Sequence, residues 1–211
     1  MKKYMAEFMG TFILVFCGTG AAVVNELHNG VITHAGVAIT FGLIVMAMIF
    51  TFGERSGSHL NPAVSLAFAL HKTFPVKEVL PYTISQLAGG TAASFALKIL
   101  FPASVYLGAT LPSGTALQSW VLEFFLTLFL MLTVLHVSER GKEKGMVAAL
   151  AVGAIVAVEA MFAGPVSGAS MNPARSLAPA LASGHLQHVW IYLSAPLAGS
   201  LSAVFLYRLM K

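Results

Sequence analysis

Two asparagines, Asn61 and Asn172, occupy equivalent places in a string that the chain contains twice. The string Ser-Gly-x-x-x-Asn-Pro-Ala-x-Ser-Leu-Ala-x-Ala-Leu runs over residues 56–70 and again over residues 167–181. Asparagine is favoured at the N-cap of a helix and proline at its first position, so each copy predicts a helix that begins at Asn-Pro-Ala. The amide oxygen of each asparagine would cap its own helix, which leaves the amide NH2 free to donate a hydrogen bond.

Helix N-termini with amide donors have a definite chemistry. The backbone dipoles place about half a positive elementary charge at each N-terminus. If the two N-termini face each other, they repel a cation or a proton. A neutral molecule with an oxygen lone pair can instead accept hydrogen bonds from Asn61 and Asn172. One copy alone would fit an ordinary buried helix, whereas two equivalent copies favour the paired arrangement.

The composition of the chain indicates where such helices lie. Hydrophobic residues make up 57% of the sequence, charged residues make up 9%, and the mean hydropathy is +0.83. These values are typical of an integral membrane protein. Six apolar stretches approach or exceed the roughly 20 residues that cross a hydrocarbon core of about 30 Å. The predicted spans are 5–24, 35–52, 79–100, 116–137, 145–162 and 189–209.

The first span has an alternative interpretation as a signal peptide over residues 1–20. Glu7 interrupts its apolar run and the segment has a counterpart later in the chain, so we favour a membrane span.

Each Asn-Pro-Ala helix is too short to cross the membrane. Residues 61–71 and 172–183 would each cover roughly 15 Å, about half the apolar thickness. The preceding segments, 53–60 and 164–171, would be non-helical at membrane depth, which is tolerated only inside protein or along a wet cavity. The sequence therefore predicts two half-helices that enter from opposite faces and meet at mid-bilayer.

The duplication extends beyond these strings. It divides one transmembrane domain into halves of about 1–103 and 113–211, joined by a stretch rich in proline and glycine. Three spans per half is an odd number, so the second half must lie inverted relative to the first. The predicted fold is an all-α integral membrane protein with six transmembrane helices and two half-helices. The further matching pairs are Glu7 and Glu123, Phe8 and Phe124, Thr11 and Thr127, Leu14 and Leu130, Tyr82 and Tyr192, and 87–89 and 197–199.

The basic residues predict the orientation, with both termini in the cytoplasm. With this orientation, ten of the twelve Lys and Arg residues lie on the cytoplasmic side, and Lys98 and Arg175 do not. Contact with anionic lipid headgroups explains the net charge of +4 without any need for nucleic-acid binding. Short loops and termini favour a plasma (inner) membrane. The cytoplasmic residues would be Lys2, Lys3, Arg55, Lys72, Lys77, Arg140, Lys142, Lys144, Arg208 and Lys211.

The motifs resemble those of the aquaporins and aquaglyceroporins over essentially the whole chain. Within that family, residues 162–171 are most similar to the nodulin-like intrinsic proteins. The resemblance implies a right-handed helical bundle, a homotetramer with one pore per subunit, and passive conduction of water and small neutral solutes. Such solutes include glycerol and undissociated boric or arsenous acid. The motifs are Glu7-Phe8-x-Gly10-Thr11-Phe12, Ser56-Gly57-x-His59-x-Asn61-Pro62-Ala63, Glu123-Phe124 and Gly168-Ala169-Ser170-Met171-Asn172-Pro173-Ala174-Arg175-Ser176.

The same resemblance implies a constriction formed by four residues. Spacing from Asn61 assigns Phe41, and spacing from Asn172 assigns Ala160, Ala169 and Arg175. Water-selective members have a histidine in place of Ala160, so alanine predicts a wider and more apolar ring. The plant nodulin-like proteins often have tryptophan at the Phe41 position and a larger aliphatic residue at the Ala160 position. That departure leaves the preferred solute open.

Four other polar residues have predicted roles. Glu7 and Glu123 are intramembrane carboxylates that we expect to accept hydrogen bonds from the segments before the half-helices, although proton coupling is the alternative. His59 is expected to line the cytoplasmic vestibule, with a buried hydrogen-bonded histidine as the alternative. Glu159 is expected to bond to neighbouring backbone or a polar neighbour, or else to add negative potential near the outer mouth.

Three other functional classes are less well supported. A strictly water-selective channel is the nearest alternative. An ion-coupled secondary transporter would share inverted repeats and broken helices, but it should carry a coupling carboxylate beside its binding site. A membrane enzyme would need a nucleophile, a metal cluster or an acid–base pair, and the sequence offers none of these. We therefore expect no enzymatic activity, no cofactor and no metal.

Overall fold

The computed structural model describes residues 1–138 and 144–211, with the side chain of Lys144 left out. Arg140 and Lys142, which the orientation argument used, lie outside the described residues. Within those residues the chain forms eight α-helices and no strand. The helices are α1 Lys2–Leu27, α2 Thr33–Ser56, α3 Pro62–Leu70, α4 Val76–Leu100, α5 Ala116–Ser138, α6 Lys144–Ser167, α7 Pro173–Ser183 and α8 Val189–Leu209.

The six long helices coincide with the six predicted spans, which confirms the predicted fold class. Five of them, α1, α2, α5, α6 and α8, are long enough and apolar enough to cross a membrane. The sixth, α4, has 25 residues and is also long enough, but it carries Lys77, Glu78 and Lys98 near its ends. Charged side chains near the ends of a span can reach the membrane interface.

The two short helices begin where the sequence predicts. α3 has nine residues and α7 has eleven. The side-chain oxygen of Asn61 accepts a hydrogen bond from the backbone N–H of Ala63, and that of Asn172 accepts from Ala174 and Arg175. A proline follows each asparagine at the first helical position. Each half-helix is therefore capped at its N-terminus by its own sequence.

Glycines bring the long helices into backbone contact. A Cβ atom on Gly89 of α4 would collide with the carbonyl oxygen of Phe8 on α1, and one on Gly199 of α8 with that of Phe124 on α5. These contacts are equivalent in the two halves. Such small-residue contacts are the usual way in which helices approach closely in membranes.

The C-terminus of each half-helix is capped by a basic side chain from the other half. Lys98 of α4 donates to the carbonyl oxygen of Ala182 at the end of α7, at 2.6 Å. Arg208 of α8 donates to the carbonyl oxygen of Leu70 at the end of α3. These two residues follow the equivalent tyrosines Tyr82 and Tyr192 by the same sixteen positions. A cation at a helix C-terminus also interacts favourably with the helix dipole.

Removing either cap should destabilise the folded protein modestly. We expect Lys98→Met and Arg208→Met each to cost about 1.5–3 kcal/mol, the usual contribution of a hydrogen bond made by a charged group. Thermal unfolding in detergent, followed by circular dichroism, measures the effect. Lys98→Arg retains a cationic donor and serves as the control. Equal melting temperatures for Lys98→Met and Lys98→Arg would contradict a capping role.

Candidate functional site

A cavity of about 140 Å³ runs between the helices and past both half-helix N-termini. Its wall contains all four residues of the expected constriction, both asparagines and His59. Pore-facing side chains of α1, α2, α5 and α6 complete the wall, and most of them are apolar. The expected site residues in the wall are Phe41, His59, Asn61, Ala160, Ala169, Asn172 and Arg175.

The two half-helices are joined to each other where their N-termini meet. The Nδ2 atom of Asn61 donates to the carbonyl oxygen of Met171, and that of Asn172 donates to the carbonyl oxygen of Leu60, both at 2.8 Å. We predicted that both NH2 groups would be free, and this prediction is wrong for one hydrogen of each. Each amide has a second N–H that these bonds do not use, and both asparagines line the cavity. The crossed bonds fix the separation of the two helix ends.

Residues before each asparagine adopt strained backbone conformations. Leu60 and Met171 have φ angles of 52° and 54°, and Ser58 and Ala169 also have positive φ. Such conformations are unfavourable for residues other than glycine and persist only where surrounding structure holds them. Hydrogen bonds that these segments donate to two buried carboxylates supply that support.

Glu7 holds the segment before α3. Its Oε1 atom accepts from the Ser56 hydroxyl at 2.6 Å and from the His59 backbone N–H at 3.0 Å. Its Oε2 atom accepts from the Leu60 backbone N–H at 2.7 Å and from Nε2 of Gln86 at 2.8 Å. This fully buried carboxylate therefore has the contacts expected of a structural residue.

Glu123 holds the segment before α7 in the same way. Its Oε1 atom accepts from the Ser167 hydroxyl at 2.7 Å and from the Ser170 backbone N–H at 2.8 Å. Its Oε2 atom accepts from the Met171 backbone N–H at 2.8 Å. The two carboxylates thus provide equivalent support in the two halves.

Three further supporting side chains were not assigned roles from the sequence. The hydroxyls of Tyr82 and Tyr192 donate to the carbonyl oxygens of Ser56 and Ser167. The sequence did contain a signal for the two tyrosines, because they occupy equivalent positions in the two halves of the repeat. Gln86 donates to both Glu7 and the Ser65 hydroxyl, but only in the first half, because its counterpart is Pro196.

Arg175 lies in the cavity wall and is 5% exposed. Its Nη1 atom donates to the carbonyl oxygen of Gly108 at 2.8 Å, and its guanidinium carbon lies 4.8 Å from the centroid of the Phe41 ring. Ala160 and Ala169 face the same cavity. The structure therefore gathers one cation, one aromatic ring and two small apolar side chains from four parts of the chain.

The linker between the halves contributes to this region. In addition to the Gly108 carbonyl, the Thr110 hydroxyl donates to the Ser176 hydroxyl at 2.7 Å. At the end of the linker, the backbone N–H of Ser113, the first residue of the second half, donates to the carbonyl oxygen of Val166. Sequence reasoning treated these residues only as a connection. An arginine in an apolar half-helix needs a hydrogen-bond acceptor. Which acceptor Arg175 finds depends on how the linker folds back over α7, and no pattern of neighbouring residues predicts this.

His59 combines its two expected settings. It lines the cavity, and its Nδ1 atom lies 3.0 Å from the Ser65 hydroxyl. Its ring packs against the rings of Phe68, Phe74 and Tyr82. The histidine is thus both cavity-lining and hydrogen-bonded.

The predicted hydrogen bond of Glu159 is wrong. The residue is 2% exposed, and neither carboxylate oxygen has a hydrogen-bond partner among the described residues. Glu159 lies well inside helix α6, where backbone N–H groups are used in the helix itself. It is also absent from the wall of the cavity that Ala160 lines.

The fold and the site together define a class of protein: a helical membrane channel whose pore passes between two facing half-helices. The family model described as "Major intrinsic protein" matches residues 1–207, and the chain belongs to this family. The resemblance stated from the motifs is confirmed.

Relatives along the whole chain support the same assignment. Aquaporin NIP1-1 of Oryza sativa subsp. japonica is 42% identical over 100% of this chain and 75% of its own length. Nodulin-26 of Glycine max is 40% identical over 100% of this chain and 78% of its own length. The X-ray structure of the aquaglyceroporin from Plasmodium falciparum superimposes with a TM-score of 0.87 at 25% identity, covering 98% of this chain and 94% of the other.

The protein is therefore a multi-pass membrane channel for water and small neutral solutes, and it is not an enzyme. A secondary transporter is not favoured.

Proposed function

We propose that this channel conducts glycerol and undissociated metalloid acids, such as boric and arsenous acid, together with water, and that it excludes protons and ions. The observation that carries the proposal is the meeting of Phe41, Ala160, Ala169 and Arg175 in one cavity wall. We assign the constriction to these four residues.

The assignment follows from the chemistry of the wall. Arg175 lines the cavity, and its side chain has five N–H donors, of which the bond from Nη1 to Gly108 uses one, so the guanidinium retains donors for hydroxyl groups. Phe41 and the two alanines offer apolar surface to the carbon side of a solute. A histidine in place of Ala160 would fill space and add a donor. Alanine leaves room for solutes wider than water. It therefore favours the proposed solute range over the alternative of a strictly water-selective pore.

Proton exclusion is assigned to the two Asn-Pro-Ala motifs, Asn61-Pro62-Ala63 and Asn172-Pro173-Ala174. Both helix N-termini direct positive dipole ends toward one point in the pore. The crossed bonds of Asn61 and Asn172 hold those ends together. Glu7 and Glu123 act as structural supports, and His59 lines the vestibule.

The name of one similar protein supports the glycerol part of this range, because a solved structure with the same fold is described as an aquaglyceroporin. We further propose a homotetramer with one pore per subunit, supported by membership of the family. Lipid contact is supported by the many large apolar side chains exposed on the long helices.

We also propose a plasma (inner) membrane location with cytoplasmic termini, and one domain made of inverted halves of about 1–103 and 113–211. The distribution of Lys and Arg supports the orientation. Equivalent contacts of Glu7 and Glu123 support the halves.

Reconstituted vesicles test the solute range. Stopped-flow light scattering should show faster entry of water, glycerol and boric acid, below the pKa of the acid, than in empty vesicles. The fluxes should need no ion gradient and should carry no proton current. Entry of water alone would contradict the proposed range, and gradient-dependent uptake would contradict passive conduction.

Arg175 should contribute to cation exclusion. A unit charge repels a cation 4 Å away by about 4 kcal/mol at an effective dielectric constant of 20, so Arg175→Met should raise proton conductance at least about tenfold. A pH-sensitive dye inside the vesicles reports the leak. Arg175→Lys keeps the charge and should remain tight to protons. Equal leaks in the two variants would exclude a role for the charge.

A further inference from the structure

Helix α6 contains a carbonyl group that the helix itself cannot satisfy. Pro165 lies inside α6 and has no backbone N–H, so the carbonyl oxygen of Met161, four residues earlier, loses its helical hydrogen bond. Met161 directly follows Ala160, which we place in the constriction. An unsatisfied carbonyl at this position would loosen the part of α6 that carries Ala160.

A histidine on the neighbouring helix supplies the missing donor. Nε2 of His34, in the first turn of α2, lies 2.6 Å from the carbonyl oxygen of Met161. Because a carbonyl oxygen can only accept, Nε2 must carry the proton in this contact. The bond links α2, which carries Phe41, to α6, which carries Ala160.

A glycine makes room for this histidine. A Cβ atom on Gly164 would lie 2.6 Å from Cε1 of His34, closer than real contacts allow. Gly164 therefore admits the imidazole ring, Pro165 exposes the acceptor and His34 provides the donor. The three residues form a matched set on two helices that are distant in sequence.

A second contact between the same helices lies on the other side of the constriction residues. A Cβ atom on Gly42 would collide with the carbonyl oxygen of Gly153 and with Ala157. Along α2, Phe41 lies between His34 and Gly42. Along α6, Ala160 lies between Ala157 and Met161. The helix pair is thus held both before and after the positions that we assign to the constriction.

We propose that His34 is a positioning residue for solute selection. By donating to Met161, it holds α2 against α6 and so fixes the separation of Phe41 and Ala160, which limits the size of the neutral solute that passes. This inference rests on the proposed constriction. His34 itself is exposed and does not line the cavity.

A double-mutant cycle tests the role of the orphaned carbonyl. In vesicles, His34→Ala should raise the permeability ratio of erythritol to glycerol at least about threefold, because pore width sets the size limit. His34→Gln keeps an N–H donor and should stay near the wild-type ratio. In a Pro165→Ala background, residue 165 regains its N–H and can bond to Met161, so adding His34→Ala should change the ratio little. His188→Ala, at a histidine whose side chain makes no cap bond, is the matched control.

The cycle separates this inference from the proposed solute range. Monodisperse elution and unchanged helical circular dichroism verify that each variant is folded. An unchanged ratio in His34→Ala, or an equal change with and without Pro165, would overturn the positioning role. If the wild-type channel passed only water, the solute range would fail, and His34 would be judged on unitary water permeability. In that case the positioning role requires that His34→Ala change the unitary water permeability at least about twofold when Pro165 is present, and little in the Pro165→Ala background.

Discussion

Ala160→His is expected to reduce glycerol permeability about tenfold or more while water permeability is largely retained. Ala160 is 7% exposed and lines a cavity of only about 140 Å³, so a larger side chain there must enter the path or displace its neighbours. The imidazole would also add a hydrogen-bond donor to a cavity wall that contains the apolar Phe41 ring. Both changes favour a small hydrogen-bonding molecule over a polyol. Stopped-flow light scattering with glycerol and with an impermeant osmolyte measures the two permeabilities in the same vesicles.

A valine at the same position separates width from hydrogen bonding. Ala160→Val adds volume without a donor, so we expect an intermediate loss of glycerol permeability and no gain for water. If glycerol entered through Ala160→His at the wild-type rate, Ala160 would not belong to the constriction. The assignment of all four constriction residues from their spacing would then be wrong.

Glu123→Leu is expected to prevent folding. The carboxylate accepts hydrogen bonds from the Ser167 hydroxyl and from the backbone of Ser170 and Met171, all buried. A buried donor without a partner costs about 1–3 kcal/mol, and three such donors together approach the whole stability of a typical domain. The positive φ of Met171 would also lose its support. We expect little or no monodisperse protein on size-exclusion chromatography.

Glu159 provides the matched control for Glu123. Both are buried glutamates within long helices, but Glu159 has no hydrogen-bond partner among the described residues. Glu159→Leu should therefore fold and should melt at or above the wild-type temperature, since it removes a buried polar group that satisfies no donor. Glu123→Gln, which keeps one acceptor oxygen, should yield folded protein of reduced stability. Normal yield and melting of Glu123→Leu would show that the segment before α7 is held by other contacts.

Local patterns account for the correct sequence predictions. The spans follow from hydrophobic composition, and Asn61 and Asn172 mark helix starts because capping involves only neighbouring residues. The hydrogen bonds of Glu7 and Glu123 to the segments before the half-helices could be anticipated because the duplication reveals equivalent polar positions. The hydrogen bond expected of Glu159 was wrong, because a helix interior offers no free backbone donors to its own side chains.

Contacts between distant segments could not be anticipated in this way. The acceptor for Arg175 is Gly108, in a linker with no periodicity. Lys98 and Arg208 each cap a half-helix of the opposite half, and His34 completes a hydrogen bond that Pro165 leaves open. In each case the sequence indicates that one group needs a hydrogen-bond partner. The identity of that partner is known only from the packed structure.

The sequence by itself determined that this protein spans the membrane, that it is duplicated, and that two half-helices begin at Asn61 and Asn172. These properties depend on hydropathy and on hydrogen bonds between near neighbours. Only the tertiary structure decided how the half-helices are joined, what holds Arg175 and which contacts position Phe41 against Ala160. Each of those depends on side chains and carbonyl groups that meet only when α2, α6, α7 and the linker have packed, because a hydrogen bond requires atoms within about 3 Å whatever their separation in sequence.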